Sequence, residues 1–93
     1  MGLLNEAQIS ERLGRVDKWS REGAAIRRTI ELPSFPAAIA FVGRVADLSE
    51  AADHHPDIDI RYRRVTLVLA THSAGGLTER DFDLAERIDA LPR

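Results

Sequence analysis

Residues 53–72 read DHHPDIDIRYRRVTLVLATH, and the middle of this stretch decides the fold. Ile58, Ile60 and Tyr62 alternate with Asp59 and Arg61, and Val65, Leu67 and Leu69 alternate with Thr66, Val68 and Ala70. Alternation of period two on both sides of a short polar break is the pattern of a β-hairpin. A two-residue turn at Arg63-Arg64 sets Tyr62 opposite Val65, Ile60 opposite Leu67 and Ile58 opposite Leu69. Those six side chains then share one apolar face, which helices are expected to cover. The same register puts His55 opposite His72 at the open end of the ladder, on the more polar face.

Upstream, Pro33-Ser34-Phe35-Pro36 opens a helix, with Ser34 as N-cap and the prolines confined to its start. Phe35, Ile39, Val42, Val45 or Ala46, and Ser49 trace its buried stripe, widened by Phe41 and Leu48. The helix runs to about Ala52 and delivers Asp53, His54 and His55 at its end. Glu50 lies four residues before His54, the spacing at which a carboxylate shares a helix face with an imidazole and orients it. Before that helix, Ala25 to Leu32 reads as a strand with Ile26, Ile30 and Leu32 on one face. Arg28 interrupts that row, as at an edge or an interface, and Arg27-Arg28 and Arg61 to Arg64 read as solvated edges. Glu22-Gly23 is a turn, and Lys18 to Arg21 a brief strand around Trp19, a packing residue.

A first helix starts at the Asn5 cap, with Gln8 in capping-box position and Ile9, Leu13 and Val16 on one face, and ends near Gly14 and Asp17. At the other end, Gly75-Gly76 breaks the chain before a helix capped by Thr78. There Asp81 is the capping carboxylate, Leu77 staples to Phe82, and Leu84, Ala85, Ile88 and Leu91 form the buried stripe. The order is α-β-β-α-β-β-α, which predicts an α+β domain over residues 1–93: a four-stranded antiparallel sheet with helices packed on one face.

Ninety-three residues fit one domain with a modest core. The apolar share of 44% and charged share of 30% are those of a soluble globular protein. A formal net charge of −2 gives no electrostatic footprint for nucleic acid. The absence of cysteine excludes disulfides and thiolate ligands and fits a reducing compartment. No apolar run approaches the ~18 residues of a membrane span, and no signal peptide is apparent, so the default expectation is a cytoplasmic protein.

All three histidines, His54, His55 and His72, fall in the opening stretch. Imidazole, with an unperturbed pKa of about 6.5, exchanges protons near neutrality, so three at one place suggest a proton-transfer site. Three histidines also suit zinc with an open position. Adjacent strand residues point to opposite faces, however, so His54 and His55 ligate one ion only on a bent backbone. Glu50 and Asp53, among these histidines, are candidates for setting their tautomers and charge. Residue by residue, the chain supports a small acid/base site and does not name a substrate.

Glu50-Ala51-Ala52-Asp53-His54-His55-Pro56, then Tyr62, Val65, Thr71-His72 and Gly76-Leu77-Thr78-Glu79-Arg80-Asp81, closely resembles the pterin-4a-carbinolamine dehydratases. The match runs from about Ser49 to Ile88, and the remainder is compatible with that fold. The resemblance implies dehydration of 4a-hydroxytetrahydropterin to quinonoid dihydropterin, the recycling step after an aromatic amino acid hydroxylase. No metal, redox cofactor or covalent nucleophile is implied. Carried over by position, His54 and His72 are acids that assist the leaving hydroxyl, and His55 binds the pterin and serves as base. Glu50, Asp53 and Asp81 hold the histidines or the ring. The resemblance also implies a homodimer or homotetramer with a hydroxylase as pathway partner, while the charge balance and the lack of a long apolar run predict no nucleic-acid and no membrane partner. Its second class of function is a non-catalytic one, since family members act as dimerisation cofactors of a transcription factor or are linked to molybdopterin metabolism. The chain departs from the family at Ile58, where many relatives carry an aromatic residue, at Ser73, where an acidic one is common, and at Arg63, where a turn asparagine is common.

Overall fold

The chain runs α1 (Glu6–Leu13), β1 (Ser20–Glu22), β2 (Ala25–Glu31), α2 (Phe35–Ala52), β3 (Asp57–Arg61), β4 (Arg64–Leu69) and α3 (Glu79–Asp89) in a computed structural model describing residues 2–93. A single 3-10 turn, His72–Ala74, precedes α3. All neighbouring strands are antiparallel and their order is β1-β2-β4-β3, so the second hairpin inserts β4 beside β2. The element order and the α+β class match the expectation.

Each helix start is fixed by the residues read as caps. Asn5 and Gln8 close a reciprocal capping box, Gln8 N–H donating to Asn5 Oδ1 at 2.8 Å and Asn5 N–H to Gln8 Oε1 at 2.9 Å. Ser34 Oγ accepts from Ala37 N–H at 3.2 Å, and Thr78 and Asp81 cap α3 in the same reciprocal way as Asn5 and Gln8. The core lies on one face of the sheet. Ile26 and Ile30 of β2 and Val65, Leu67 and Leu69 of β4 are buried with Ala38, Phe41 and Val45 of α2 and Phe82, Leu84, Ala85 and Ile88 of α3. Burying each large apolar side chain contributes about 1.5–3 kcal/mol, and this layer is what holds helices to sheet. No helix among the described residues is long and apolar enough to cross a membrane.

Three expectations change. The hairpin turn is Tyr62-Arg63, not Arg63-Arg64, so Ile58 pairs with Leu67 rather than Leu69, and Ile60 with Val65 rather than Leu67. The cause is the neighbouring strand. Arg63 is held to Leu32 by its own carbonyl, which accepts from Leu32 N–H at 2.9 Å, and by its guanidinium, which donates to Leu32 O at 3.1 Å. β4 therefore starts at Arg64, and Tyr62 takes the turn with a left-handed φ of 56°. A shift of two positions preserves which side each residue faces. It leaves His55 and His72 beyond the paired residues, so they are not cross-strand partners.

The helix layer also sits differently from expectation. α2 buries Ala38, Phe41, Val45 and Ser49, while Phe35 and Ile39 are 47% and 45% exposed. β3 is an edge strand whose apolar side chains are not covered: Ile58 is 38% and Ile60 36% exposed. The third change concerns Arg28, which is not at an edge. It is buried and pairs with Asp89 at the end of α3, and the same carboxylate oxygen accepts from Trp19 Nε1 at 2.8 Å. Its neighbour Arg27 is solvated as expected.

Candidate active site

The site begins with the way α2 stops. Asp53 turns left-handed at φ 49°, Asp53 N–H donates to Glu50 O at 3.3 Å, and His54 N–H donates to Ser49 O at 3.0 Å. This is a Schellman closure, made without the glycine that usually occupies the left-handed position. Because the helix ends there, residue 54 no longer follows the helical spacing from Glu50. His54 swings inward and becomes buried, and His55 points out to solvent.

Each of the two histidines finds a different carboxylate. His54 Nε2 donates to Asp81 Oδ1 at 2.6 Å in a buried contact. His55 Nε2 pairs with Glu50 on the surface, so the expected Glu50–His54 contact is replaced by Glu50–His55. A carboxylate only accepts, which fixes the proton on Nε2 of each ring and leaves Nδ1 as the other working nitrogen.

Asp81 is fully buried, and its second oxygen, Oδ2, accepts from Thr71 Oγ1 at 2.8 Å and from Thr78 N–H at 2.9 Å. Since the single Thr71 proton goes to Asp81, Thr78 Oγ1 donates to Thr71 Oγ1 at 2.8 Å. Thr71 is held by a two-way backbone bridge to Gly76, and Gly75 closes the loop between them at a φ of 77°. His72 follows directly and is exposed. Arg80 reaches back from α3 to the end of α2, its Nη2 donating to Ala52 O at 3.0 Å and also to Asp53 O.

Thus His54, Asp81, Thr71 and Thr78 form one connected network, with His72 adjoining it through the backbone. Glu50 and His55 form a separate exposed pair, and Asp53 shapes the site through its backbone. His72 borders a depression of about 290 Å³ with Ala24, Ala25, Ala70 and Gly75, at the end of the uncovered sheet face. His54 borders another, of about 220 Å³, between α2 and α3. Among the described residues no three His, Cys, Asp or Glu side chains are grouped to hold a metal ion.

Sequence reasoning gave Thr71 and Arg80 no role. Thr71 did carry a signal: it falls in phase with Leu67 and Leu69, facing the helices, where a hydroxyl needs a partner. Arg80 carried none, because its acceptors lie 27 and 28 residues away.

An antiparallel sheet backed by three helices, with neighbouring histidines each tied to its own carboxylate at a helix end, defines a class of small α+β proteins. The profile of the pterin 4 alpha carbinolamine dehydratases matches residues 2–91, and the chain belongs to that family. A protein of Roseiflexus castenholzii, provisionally named a pterin-4-alpha-carbinolamine dehydratase, is 65% identical over 96% of both chains. One of Nocardia farcinica with the same provisional name is 58% identical, covering 98% of this chain and 96% of its own. Among solved structures, a protein described as a transcriptional coactivator/pterin dehydratase from Brucella melitensis superposes with a TM-score of 0.90 at 36% identity, covering 94% of this chain and 95% of its own. A pterin dehydratase-like protein described as a RuBisCO assembly factor in the alpha-carboxysome gives a TM-score of 0.65 at 25% identity, covering 77% and 83%.

Proposed function

We propose that the protein is a 4a-hydroxytetrahydrobiopterin dehydratase working by histidine acid/base catalysis in tetrahydropterin recycling. The observation that carries this reading is the adjacent pair His54 and His55, each with one ring nitrogen committed to a carboxylate and the other free. In the reaction an acid gives a proton to the 4a-hydroxyl, and the C4a–O bond breaks with release of water. The N5 lone pair forms the new double bond to C4a, and a base takes the N5 proton. Positioned imidazoles suit both transfers.

His54 and His72 serve as the acids. His55, the most accessible of the pair, binds the pterin and takes the proton. Asp81 and Glu50 fix one nitrogen of His54 and His55, and Asp53 turns the backbone just ahead of both. The depression beside His72 is bordered by small side chains, which suits a flat bicyclic ring.

The test is to follow decay of the 4a-hydroxy intermediate released by a phenylalanine hydroxylase, with and without the purified protein. Acceleration that His55→Ala and His72→Ala abolish is expected. A decay rate equal to that in buffer would sink the proposal.

A second reading rests on the similarity to a protein described as a RuBisCO assembly factor: this chain acts as a non-catalytic assembly module. Under that reading the histidine substitutions leave capture of a partner enzyme in pull-down unchanged. We also propose that the working form is a homo-oligomer, a second copy covering Phe35 and Ile39 of α2 and Ile58 and Ile60 of β3. Antiparallel pairing of β3 with itself about Ile60 sets Asp59 opposite Arg61 of the other copy, twice over, which makes this edge self-complementary in charge.

A further inference from the structure

On the helix side of the sheet, α2 and α3 leave the depression of about 220 Å³ that His54 borders. Ala51, Ala52 and Leu84 line it together with His54, Arg80 and Arg87, and Asp83 is the one carboxylate. Neither arginine is neutralised. Arg80 directs Nη2 at the carbonyls of Ala52 and Asp53 and, among the described residues, has no carboxylate partner. Arg87 is in no ion pair among the described residues, although Asp83 stands one turn before it on α3. That spacing ordinarily favours an acid–base pair, so the unpaired Arg87 is available to something else.

Arg80 and Arg87 are two helical turns apart, about 10 Å along the axis and on one face, so their long side chains can close on a small ligand between them. A guanidinium presents its N–H groups as a planar fork that matches the oxygens of phosphate or carboxylate. Two such forks outweigh Asp83, the one carboxylate on the same face, and beside an apolar lining they accept an anion with several oxygens.

We propose that this depression is an oxyanion site, taking a phosphate or carboxylate group between Arg80 and Arg87 against the His54 ring. Occupancy joins Arg80, which holds the end of α2, to Arg87 and so couples the ligand to the backbone that carries both histidines. The anion has two sources: a free ion, or the charged end of a larger molecule, for which a phosphorylated pterin serves as the probe. The site itself does not depend on the dehydratase reading, and its test reads binding rather than turnover.

The experiment titrates inorganic phosphate into 15N-labelled protein and follows the histidine ring signals, with His54 assigned by elimination from His55→Gln and His72→Gln. Saturable shifts of the His54 signals are expected, weakened about tenfold or more by Arg87→Gln, the loss expected for one charge-assisted bidentate contact. Arg64→Gln, on the opposite face of the sheet, leaves them unchanged. His54 signals that do not move, or that move equally in Arg87→Gln, overturn the proposal. Neopterin with and without a terminal phosphate then separates the sources. A gain from the phosphate that Arg87→Gln removes identifies the side-chain end, and equal binding of the two identifies the free ion.

Discussion

Asp81 is fully buried and accepts three hydrogen bonds, from the His54 ring, the Thr71 hydroxyl and the Thr78 backbone. Truncating it leaves three buried donors without an acceptor, so Asp81→Ala is expected to cost about 3–5 kcal/mol in urea unfolding, whatever it does to activity. Only part of this was legible. The spacing of Thr78 and Asp81 announces a capping box, whereas the bond to His54 joins residues 27 apart and follows no local rule. The four-residue spacing of one helical turn points Glu50 at His54. That pairing fails because Asp53 ends the helix in a left-handed conformation that only a glycine would have signalled. Tyr62 is a second residue of this kind, with a φ of 56° and a side chain 70% exposed. It loses little packing on truncation, so Tyr62→Gly is expected to raise the melting temperature, by relief of about 1 kcal/mol of left-handed strain.

At the scale of elements, the start of each helix and the antiparallel pairing within each hairpin can be read from caps and alternation, while the β1-β2-β4-β3 order cannot. Nor can the buried face of α2. Phe35, Ala37, Ala38, Ile39, Ala40, Phe41 and Val42 make its first two turns apolar nearly all round, so two stripes fit the same sequence. Packing into the shared core under the sheet selects the one with Phe41. Phe41→Ala is therefore expected to cost about 3–5 kcal/mol in chemical denaturation, and Ile39→Ala under about 1 kcal/mol in the folding of a single chain. Equal costs would place the helix in the other orientation. The hairpin register was missed by two positions for a related reason: it is set from outside, by the two bonds between Arg63 and Leu32.

Among the described residues, four of the six large apolar side chains left exposed lie on α2 and the edge strand. Phe35, Ile39, Ile58 and Ile60 are an unusual set to leave in water, and an unpaired edge beside them is a template for another strand. Sedimentation of the wild type is expected to give a dimer or larger, and Ile39→Glu combined with Ile60→Glu a monomer that keeps its circular dichroism spectrum. A monomeric wild type would remove the second copy from the proposal.

The strand order has a consequence for how the chain reaches this state. β1–β2 and β3–β4 are local hairpins, each able to close on the scale of about 1–10 μs, but the sheet exists only when β2 meets β4. Thr29 and Thr66, hydrogen-bonded across that seam at 2.9 Å, are 37 residues apart, with all of α2 between them. The search for this one pairing, rather than any local step, is expected to set the folding rate. Leu67→Ala, at the seam, is expected to slow refolding, and Ile9→Ala, on the peripheral α1, to act mainly by speeding unfolding, the two separating on opposite arms of a chevron plot.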